Sequence, residues 1–323
     1  MNLTLPLIRD VPPSELTACL QWLLGHVPVE RAQWIVAQLT DRVKHKKIGD
    51  IIAIEAACNG ELSSAAIAVL AAPHAANLLA ISMPDNGVFD ALKNFAATSR
   101  AAVFGRLVDR LRSAQVTFLQ TSADPDDNPE PLVDLGFERL ATLAFLILES
   151  GAFETGRESN TKVDWRFDVV GDDEQRLLMA CDVAETSFSG TQDCPRLSDY
   201  RSAAEIVDGY RSASSFDPSL WRLLMVGAES AGCLFLTRHP IADADGSTSE
   251  AIELTYMGLA PNYRGRGFGE HILAEAVRVA RQQNAIRMVL AVDLENSPAN
   301  TLYRRFGWQE AARESVWAMR ITP

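Results

Sequence analysis

The chain has 323 residues and a formal net charge of -12, and 47% of its residues are hydrophobic. This composition is typical of a globular protein with enough apolar residues for two domains. The acidic balance disfavours a nucleic-acid or membrane partner, because both carry negative charge.

The first residues and the cysteines predict a cytoplasmic protein, and the histidines predict that it binds no metal. No apolar run approaches the ~20 residues of a membrane span, and the first residues lack the charged and apolar regions of a secretory signal. The five cysteines are odd in number and scattered, which predicts free thiols in a reducing compartment. The five histidines are equally scattered, so we expect no metal site.

The N-terminal half reads as a series of strands with one long helix. Apolar runs predict strands at 50–57, 64–71, 76–83, 116–120 and 140–148, and helical spacing predicts a helix at 101–113. The turn Asn59-Gly60 joins the first two strands. A polar stretch with two glycines then predicts a linker at 151–163, which would separate a domain at 1–150 from one at 164–323.

The C-terminal half repeats this order of elements. Strands are predicted at 221–226, 231–237, 251–259, 287–292 and 315–321, and helices at 269–283 and 299–306. Two anchors share one offset: Gly136 precedes Gly307 by the same number of residues as Val116 precedes Arg287. Such a long period predicts tandem duplicated domains rather than a solenoid.

The most informative segment follows the third strand of this half. It lies between a predicted strand and an amphipathic helix. After Arg264 it has glycine at every second position, Gly265, Gly267 and Gly269, with Arg266 between the first two. Glycines let backbone N–H groups approach a phosphate, the helix N-terminus adds partial positive charge, and arginines donate to a pyrophosphate. Three other interpretations compete. A dinucleotide-binding loop would open the first βαβ unit, whereas this loop lies late in the chain, and a Walker A loop needs Gly-Lys-Ser/Thr, which this segment lacks. The third is a glycine-rich turn without function.

This segment resembles the acetyl-CoA loop of the GNAT acetyltransferase superfamily, (Gln/Arg)-x-x-Gly-x-(Gly/Ala). The stretch that matches is Arg264-Gly265-Arg266-Gly267-Phe268-Gly269. A second family signature, Asn-x-x-Ala-x-x-Leu-Tyr-x-x-x-Gly-Phe, follows at the expected distance. It falls on Asn296, Ala299, Leu302, Tyr303 and Gly307, with Trp308 where Phe is usual. The resemblance covers roughly residues 164–323.

The resemblance implies an α/β (α+β) fold of two tandem GNAT-like domains, each a mixed, mostly antiparallel sheet flanked by helices. It implies acetyl-CoA as co-substrate and no metal. The strand before the loop would splay from its neighbour, so that the pantetheine arm bonds to backbone at Met257, Gly258 and Leu259. The pyrophosphate would sit on residues 264–269, and Asn296 would line the cofactor side.

The resemblance also implies two catalytic residues. Tyr303 would protonate the leaving thiolate, and Glu253 would remove the proton from the attacking amine. Strand alternation predicts that Glu253, Thr255 and Met257 share one face of the strand. An exposed strand carboxylate and a core tyrosine are the structural alternatives for these two residues.

The N-terminal half departs from the family pattern. Its helix is preceded by no glycine-rich loop, and Leu132 stands where Tyr303 stands in the repeat. We therefore predict a degenerate GNAT-like domain at 1–150 that shapes the substrate cleft or mimics a dimer partner, and a monomeric chain. The arrangement, with the active-looking domain second, is similar to that of the mycothiol synthases.

The sequence thus predicts an N-acetyltransferase that acts directly on a primary amine of a small molecule or a peptide. Substrate choice is expected to depend on residues 184–215, whose carboxylates would suit a cationic amine. The polar residues of that segment singled out are Asp193, Asp199, Tyr200, Glu205, Asp208 and Tyr210. Two alternatives stay open: another acyl-CoA or a hydroxyl acceptor, and a non-catalytic acyl-CoA sensor.

Overall fold

The structure, a computed structural model, describes residues 6–25, 32, 36, 39, 50–58, 60–71, 74–82, 90–153, 164–213, 215–242 and 248–322. The predicted turn residue Asn59 and the part of the predicted linker at 154–163 lie outside the described residues. The chain divides into two compact units. Unit 1 comprises Met1–Arg139 and Trp317–Pro323, and unit 2 comprises Leu140–Val316.

Unit 1 is an antiparallel meander followed by one parallel strand. Its strands are β1 (Leu7–Asp10), β2 (Ile51–Cys58), β3 (Glu61–Leu70), β4 (Ala75–Ser82) and β5 (Phe118–Ala123). Its described helices include α1 (Leu16–Leu24), α2 (Asp90–Ser113) and α3 (Glu130–Asp134). Strands β1 to β4 pair antiparallel in chain order, and β5 pairs parallel with β4.

The core of unit 1 forms where α2 covers the sheet. Leu107 and Leu111 are fully buried, one helical turn apart, and belong to one cluster with Ala66 and Ala68 of β3. Small side chains on the strand leave room for large ones on the helix, which is how helix and sheet pack closely. The segment before α2, residues 83–89, lies outside the described residues, so the absence of a cofactor loop there stays a prediction.

Unit 2 also combines an extended set of strands with helices. Its strands are β6 (Glu138–Glu149), β7 (Trp165–Val169), β8 (Arg222–Val226), β9 (Glu229–Ala242), β10 (Thr248–Leu259), β11 (Arg287–Asp293) and β12 (Gln309–Arg320). Its helices include α4 (Glu174–Ser187), α5 (Ala203–Ser212), α6 (Phe268–Gln282) and α7 (Ser297–Arg305). The strand order is β12-β6-β11-β10-β9-β8-β7. Only the pairing of β10 with β11 is parallel among the described pairings of this unit.

The predicted helix at 269–283 is confirmed as α6. Ile272, Leu273, Ala276, Val277 and Ala280 are all fully buried in the core of unit 2. Their spacing puts them on one helical face, which is why the periodicity identified this helix. Among the described helices, none has both the length and the apolar composition needed to cross a membrane.

The mixed α/β fold class is confirmed, but most of β6 and the end of β12 belong to units that the repeat does not predict. The predicted strand at 140–148 is β6, which pairs antiparallel with β11 in unit 2, with Leu146 opposite Leu290. Residues 317–323 belong to unit 1, where Trp317 and Ile321 enter the core. The predicted limits 1–150 and 164–323 describe halves of the repeat and stay a prediction.

The sequence patterns do not predict six of the described elements: β1, β7, α1, α3, α4 and α5. The signal for α5 was present, since Ser202 and Glu205 form a capping box at its start. Asp173 likewise caps α4 by accepting from the N–H of Arg176 at 3.0 Å. These caps mark where the two helices begin, and the α4 end becomes one wall of the site described next.

Candidate active site

A cleft opens between β10 and β11. The two strands pair over three positions, from Ala251 opposite Arg287 to Glu253 opposite Val289. Beyond these, β10 continues along β9 and β11 continues along β6, so the strands diverge. A cavity of about 470 Å³ lies at the opening and is lined by both strands. This is the splayed pair that the family resemblance implies.

Strand β10 carries a β-bulge at Thr255, whose hydroxyl hydrogen-bonds the Thr237 hydroxyl at 2.7 Å. Met257 packs against the core cluster that contains α6, whereas Tyr256 packs against the cluster that contains α4. The prediction that Glu253, Thr255 and Met257 share one face is therefore wrong at Met257. A bulge adds one residue to the strand and reverses the faces beyond it.

Gly258 sits where the end of α4 presses on β10. A Cβ at this position would lie 2.2 Å from Ser187 Oγ and 2.8 Å from Ser187 Cβ. The Ser187 hydroxyl donates to the Ala184 carbonyl at 2.6 Å and hydrogen-bonds the Tyr256 hydroxyl at 2.7 Å, so it is held in place. Only glycine fits at this point of the strand. Gly258 lines the cavity together with the other predicted pantetheine residues, Met257 and Leu259.

The loop after β10 presents backbone N–H groups. Gly265 and Gly267 have φ of 70° and 84°, a left-handed conformation that favours glycine, and Gly267 caps α6. Within the described part of the chain, the N–H groups of residues 265–269 have no hydrogen-bond acceptor. A run of N–H groups at a helix N-terminus is an anion-binding arrangement. Gly265 and Gly269 line the cavity.

Arg264 lines the cavity but directs most of its donors to the protein. Its guanidinium donates to the carbonyls of Ser187 at 2.6 Å, Ser189 at 2.8 Å, Leu259 at 3.1 Å and Gly190 at 3.3 Å. It therefore ties the loop to the C-terminal end of α4, where a cation is favourable. Its predicted contact with a cofactor stays a prediction, and the clamp is a role that the sequence did not reveal.

The other two side chains of the loop differ in exposure. Arg266 is exposed, with its guanidinium carbon 5.6 Å from the centroid of the Tyr263 ring. It is the arginine of the loop whose donors face solvent. The side chain of Phe268 is 2% exposed and belongs to the core. A cofactor in the cleft would therefore meet Phe268 through its backbone N–H, and this contact stays a prediction.

Tyr303 and Asn296 reach the cavity from α7. Asn296 caps this helix by accepting from the N–H of Ala299 at 3.3 Å. Tyr303 is 5% exposed, and its ring packs against Trp308 at a centroid distance of 5.9 Å. Burial raises the pKa of the Tyr303 hydroxyl, so it is a neutral proton donor at pH 7. The geometry is compatible with the predicted general-acid role, which stays a prediction.

A carboxylate that the sequence assigned only to substrate choice also lines the cavity: Asp193. Its Oδ1 accepts from the N–H of Asp293 at 2.9 Å. The Asp293 carboxylate in turn accepts from the N–H groups of Cys194 and Glu295, both at 3.0 Å. Burial, and then the charge of Asp293, raise the pKa of Asp193, although its hydrogen bonds act in the opposite direction. The long-range pairing with Asp293 has no local sequence signal.

Glu253, the predicted base, is not among the residues that line the described cavity. Its carboxylate hydrogen-bonds His239 Nε2 at 2.6 Å, and its side chain is 37% exposed. Strand β10 turns this side chain toward β9, because His239 lies on that neighbouring strand. The catalytic role of Glu253 stays a prediction.

Comparison with known proteins agrees with this geometry. Residues 210–308 match the model of the acetyltransferase (GNAT) family. The chain is 36% identical over 66 residues to a mycothiol acetyltransferase of Corynebacterium aurimucosum, covering 20% of this chain and 22% of that protein. It is 37% identical over 57 residues to a putative ribosomal-protein bS18 alanine N-acetyltransferase of Bacillus subtilis, covering 18% and 38%. These matches thus span well under half of either relative.

The similarity of fold extends further than that of sequence. The crystal structure of a GCN5-related N-acetyltransferase from Sphaerobacter thermophilus matches with a TM-score of 0.53 and 16% identity, covering 98% of this chain and 96% of that one. At this identity the match shows the fold alone, and it does so over both units. Strands β10 and β11, the loop and Tyr303 all lie within residues 210–308, so the similarity to the GNAT acetyltransferase family falls on the residues that form the cleft.

Proposed function

We propose that the protein is an acetyl-CoA-dependent N-acetyltransferase that transfers the acetyl group directly to a primary amine of a small molecule or a peptide. The observation that carries this proposal is the cleft between β10 and β11. Gly265 and Gly269 of the loop line one side of its cavity, and Tyr303 lines another. Free thiols at all five cysteines support a reducing, cytoplasmic compartment, and the monomeric state stays a prediction.

The residues of the cleft suit acetyl-CoA. The N–H groups before and at the start of α6 would hold the pyrophosphate, with Arg266 adding charge from solvent. The backbone edge of β10 at residues 257–259 no longer pairs with β11, so its polar groups are open to a pantetheine amide. The thioester supplies an acyl carbon that an amine can attack and a sulfur leaving group.

The side chains of the protein would carry out the proton transfers of the reaction. The amine must be neutral to attack, so a carboxylate has to accept one proton first, and Glu253 is the predicted base. As the carbon–sulfur bond breaks, the Tyr303 hydroxyl gives its proton to the sulfur. It regains a proton from the nitrogen, which becomes an amide. The net products are the amide, the thiol and one proton released to water.

Calorimetry with acetyl-CoA on wild type and Gly267→Glu tests the cradle, with Gly105→Ala in unit 1 as the matched control. We expect one site per chain in wild type and in the control, and none in Gly267→Glu, because its carboxylate repels the pyrophosphate. Circular dichroism checks that the variant folds. Two sites would mean that the N-terminal half also binds, and no binding to wild type would remove the proposal.

Turnover separates an enzyme from an acyl-CoA sensor. In an acetyl-CoA assay with a panel of primary amines, Tyr303→Phe should lower kcat by about 10²–10⁴-fold, the usual contribution of a general acid. Its acetyl-CoA affinity should stay near that of wild type. Binding without turnover of any amine in wild type would favour the sensor.

A further inference from the structure

We propose that Asp193 receives the ammonium group of the acceptor and takes its proton before attack, so that the acceptor is an amine that is positively charged in solution. This rests on the proposed function and names the substrate class and the residue that selects it. The resemblance to the family assigns the base to Glu253 instead. Asp193 differs from Glu253 in that it lines the cavity that also holds Tyr303.

The segment that carries Asp193 is fixed from both ends. Residues Ser189 and Gly190 accept hydrogen bonds from Arg264 of the cofactor loop, at 2.8 and 3.3 Å. Asp193 itself accepts from the backbone of Asp293 at the end of β11. The carboxylate is therefore held against the same two strands that form the cleft. A group held in this way needs no rearrangement to meet a ligand, which is what a binding residue requires.

No described cation neutralises this carboxylate. Among the described residues, Asp193 forms no salt bridge and no cation shifts its pKa, while the guanidinium of Arg264, which also lines the cavity, is directed at carbonyls. The side groups that shift the pKa of Asp193 are the Asp293 carboxylate, whose charge raises it, and the Asn296 side chain, which lowers it. A half-buried carboxylate in a cavity without a counter-ion is partly desolvated, so a cationic ligand is the complement that the cavity lacks.

The chemistry of Asp193 fits removal of a proton. Burial and the neighbouring charge raise its pKa, so it holds a proton better than an exposed aspartate does. The carboxylate takes one proton from R–NH3⁺ and leaves R–NH2, whose lone pair forms the bond to the acyl carbon. The carbon–sulfur bond then breaks as Tyr303 protonates the sulfur, the nitrogen gives its second proton back to Tyr303 and becomes the amide, and Asp193 releases its proton to water.

The test uses the full chain, both without CoA and with saturating CoA, and a simple probe, n-butylammonium chloride, with n-butanol as the uncharged control ligand. The variants are Asp193→Asn and Asp193→Ser, both able to accept the Asp293 N–H without charge. Asp182→Asn, an exposed carboxylate on α4, is the matched control. NMR titration gives the Kd of each probe, and calorimetry gives the acetyl-CoA affinity separately.

We expect the Kd of n-butylammonium to rise by about tenfold or more in both Asp193 variants, since a charge-assisted hydrogen bond is lost. Asp182→Asn should stay within about twofold of wild type, and n-butanol binding should not depend on Asp193. Unchanged affinity in Asp193→Asn, or no binding of the cation to wild type, overturns this inference. Failure of wild type to bind acetyl-CoA, with cation binding still dependent on Asp193, would instead remove the proposed function alone.

Discussion

The contact between Gly258 and the end of α4 predicts the effect of one methyl group. In Gly258→Ala the new Cβ would lie 2.2 Å from Ser187 Oγ, 2.8 Å from Ser187 Cβ and 3.0 Å from the Tyr256 ring. Two of these distances are shorter than real Cβ contacts allow, so α4 or β10 must shift. Overpacking of this kind costs about 1–3 kcal/mol, and we expect that loss in the free energy of unfolding.

Urea denaturation of a double-mutant cycle isolates the clash. Ser187→Gly alone should cost about 1 kcal/mol, because glycine weakens a helix. If Ser187 is the obstacle, the double variant should be about as stable as Ser187→Gly alone. Acetyl-CoA affinity should follow the same pattern, since Gly258 lines the cavity. If the loss in the double variant equals the sum of the losses in the two single variants to within about 0.5 kcal/mol, the clash is refuted, because independent sites are additive.

Three further changes have defined outcomes. Arg264→Gln should lower the free energy of unfolding by about 1.5–3 kcal/mol, the contribution of a charged hydrogen bond. Arg264→Lys should recover only part of this loss. Equal urea midpoints for the wild type and both variants would show that Arg264 does not tie the loop to α4. Asp193→Asn should stabilise the protein at pH 7, because a raised pKa means that the fold penalises the charged form. This gain should disappear as the pH falls to the ordinary pKa of aspartate, and stability curves that stay parallel with pH would contradict it. Gly105→Ala should stabilise unit 1 by about 0.5–1 kcal/mol in thermal unfolding, because the site is an exposed helix position with no atom near the new methyl; a loss of stability would show a contact there.

Local patterns were sufficient for the elements that bury one face. Helix α6 was predicted to within one residue because its apolar side chains repeat at helical spacing. The glycine-rich loop before it was identified because glycine is needed at the positive φ of Gly265 and Gly267. Strand β12 begins six residues before its predicted start, because its first residues, 309–313, are exposed and show no apolar alternation.

Features that depend on distant partners were not predictable. The bulge at Thr255 is defined by its register against β9, and a strand of alternating residues gives no local sign of it. Asp193 and Asp293 meet through one hydrogen bond between segments a hundred residues apart. The donors of Arg264 reach carbonyls that only the folded chain brings together. Sequence patterns located the cleft, and tertiary contacts decide which side chains point into it.

The two units exchange strands along the chain, and this determines when each unit can complete its fold during synthesis. Unit 1 includes residues 317–323, with Trp317 and Ile321 in its core, so it stays incomplete until almost the whole chain has been synthesised. Strand β6 is made early but pairs with β11, so it must wait for a partner encoded far downstream. Pairing across such sequence separations slows folding. A fragment starting at residue 164 would lack β6 and leave β11, one wall of the cleft, as an open edge prone to aggregation.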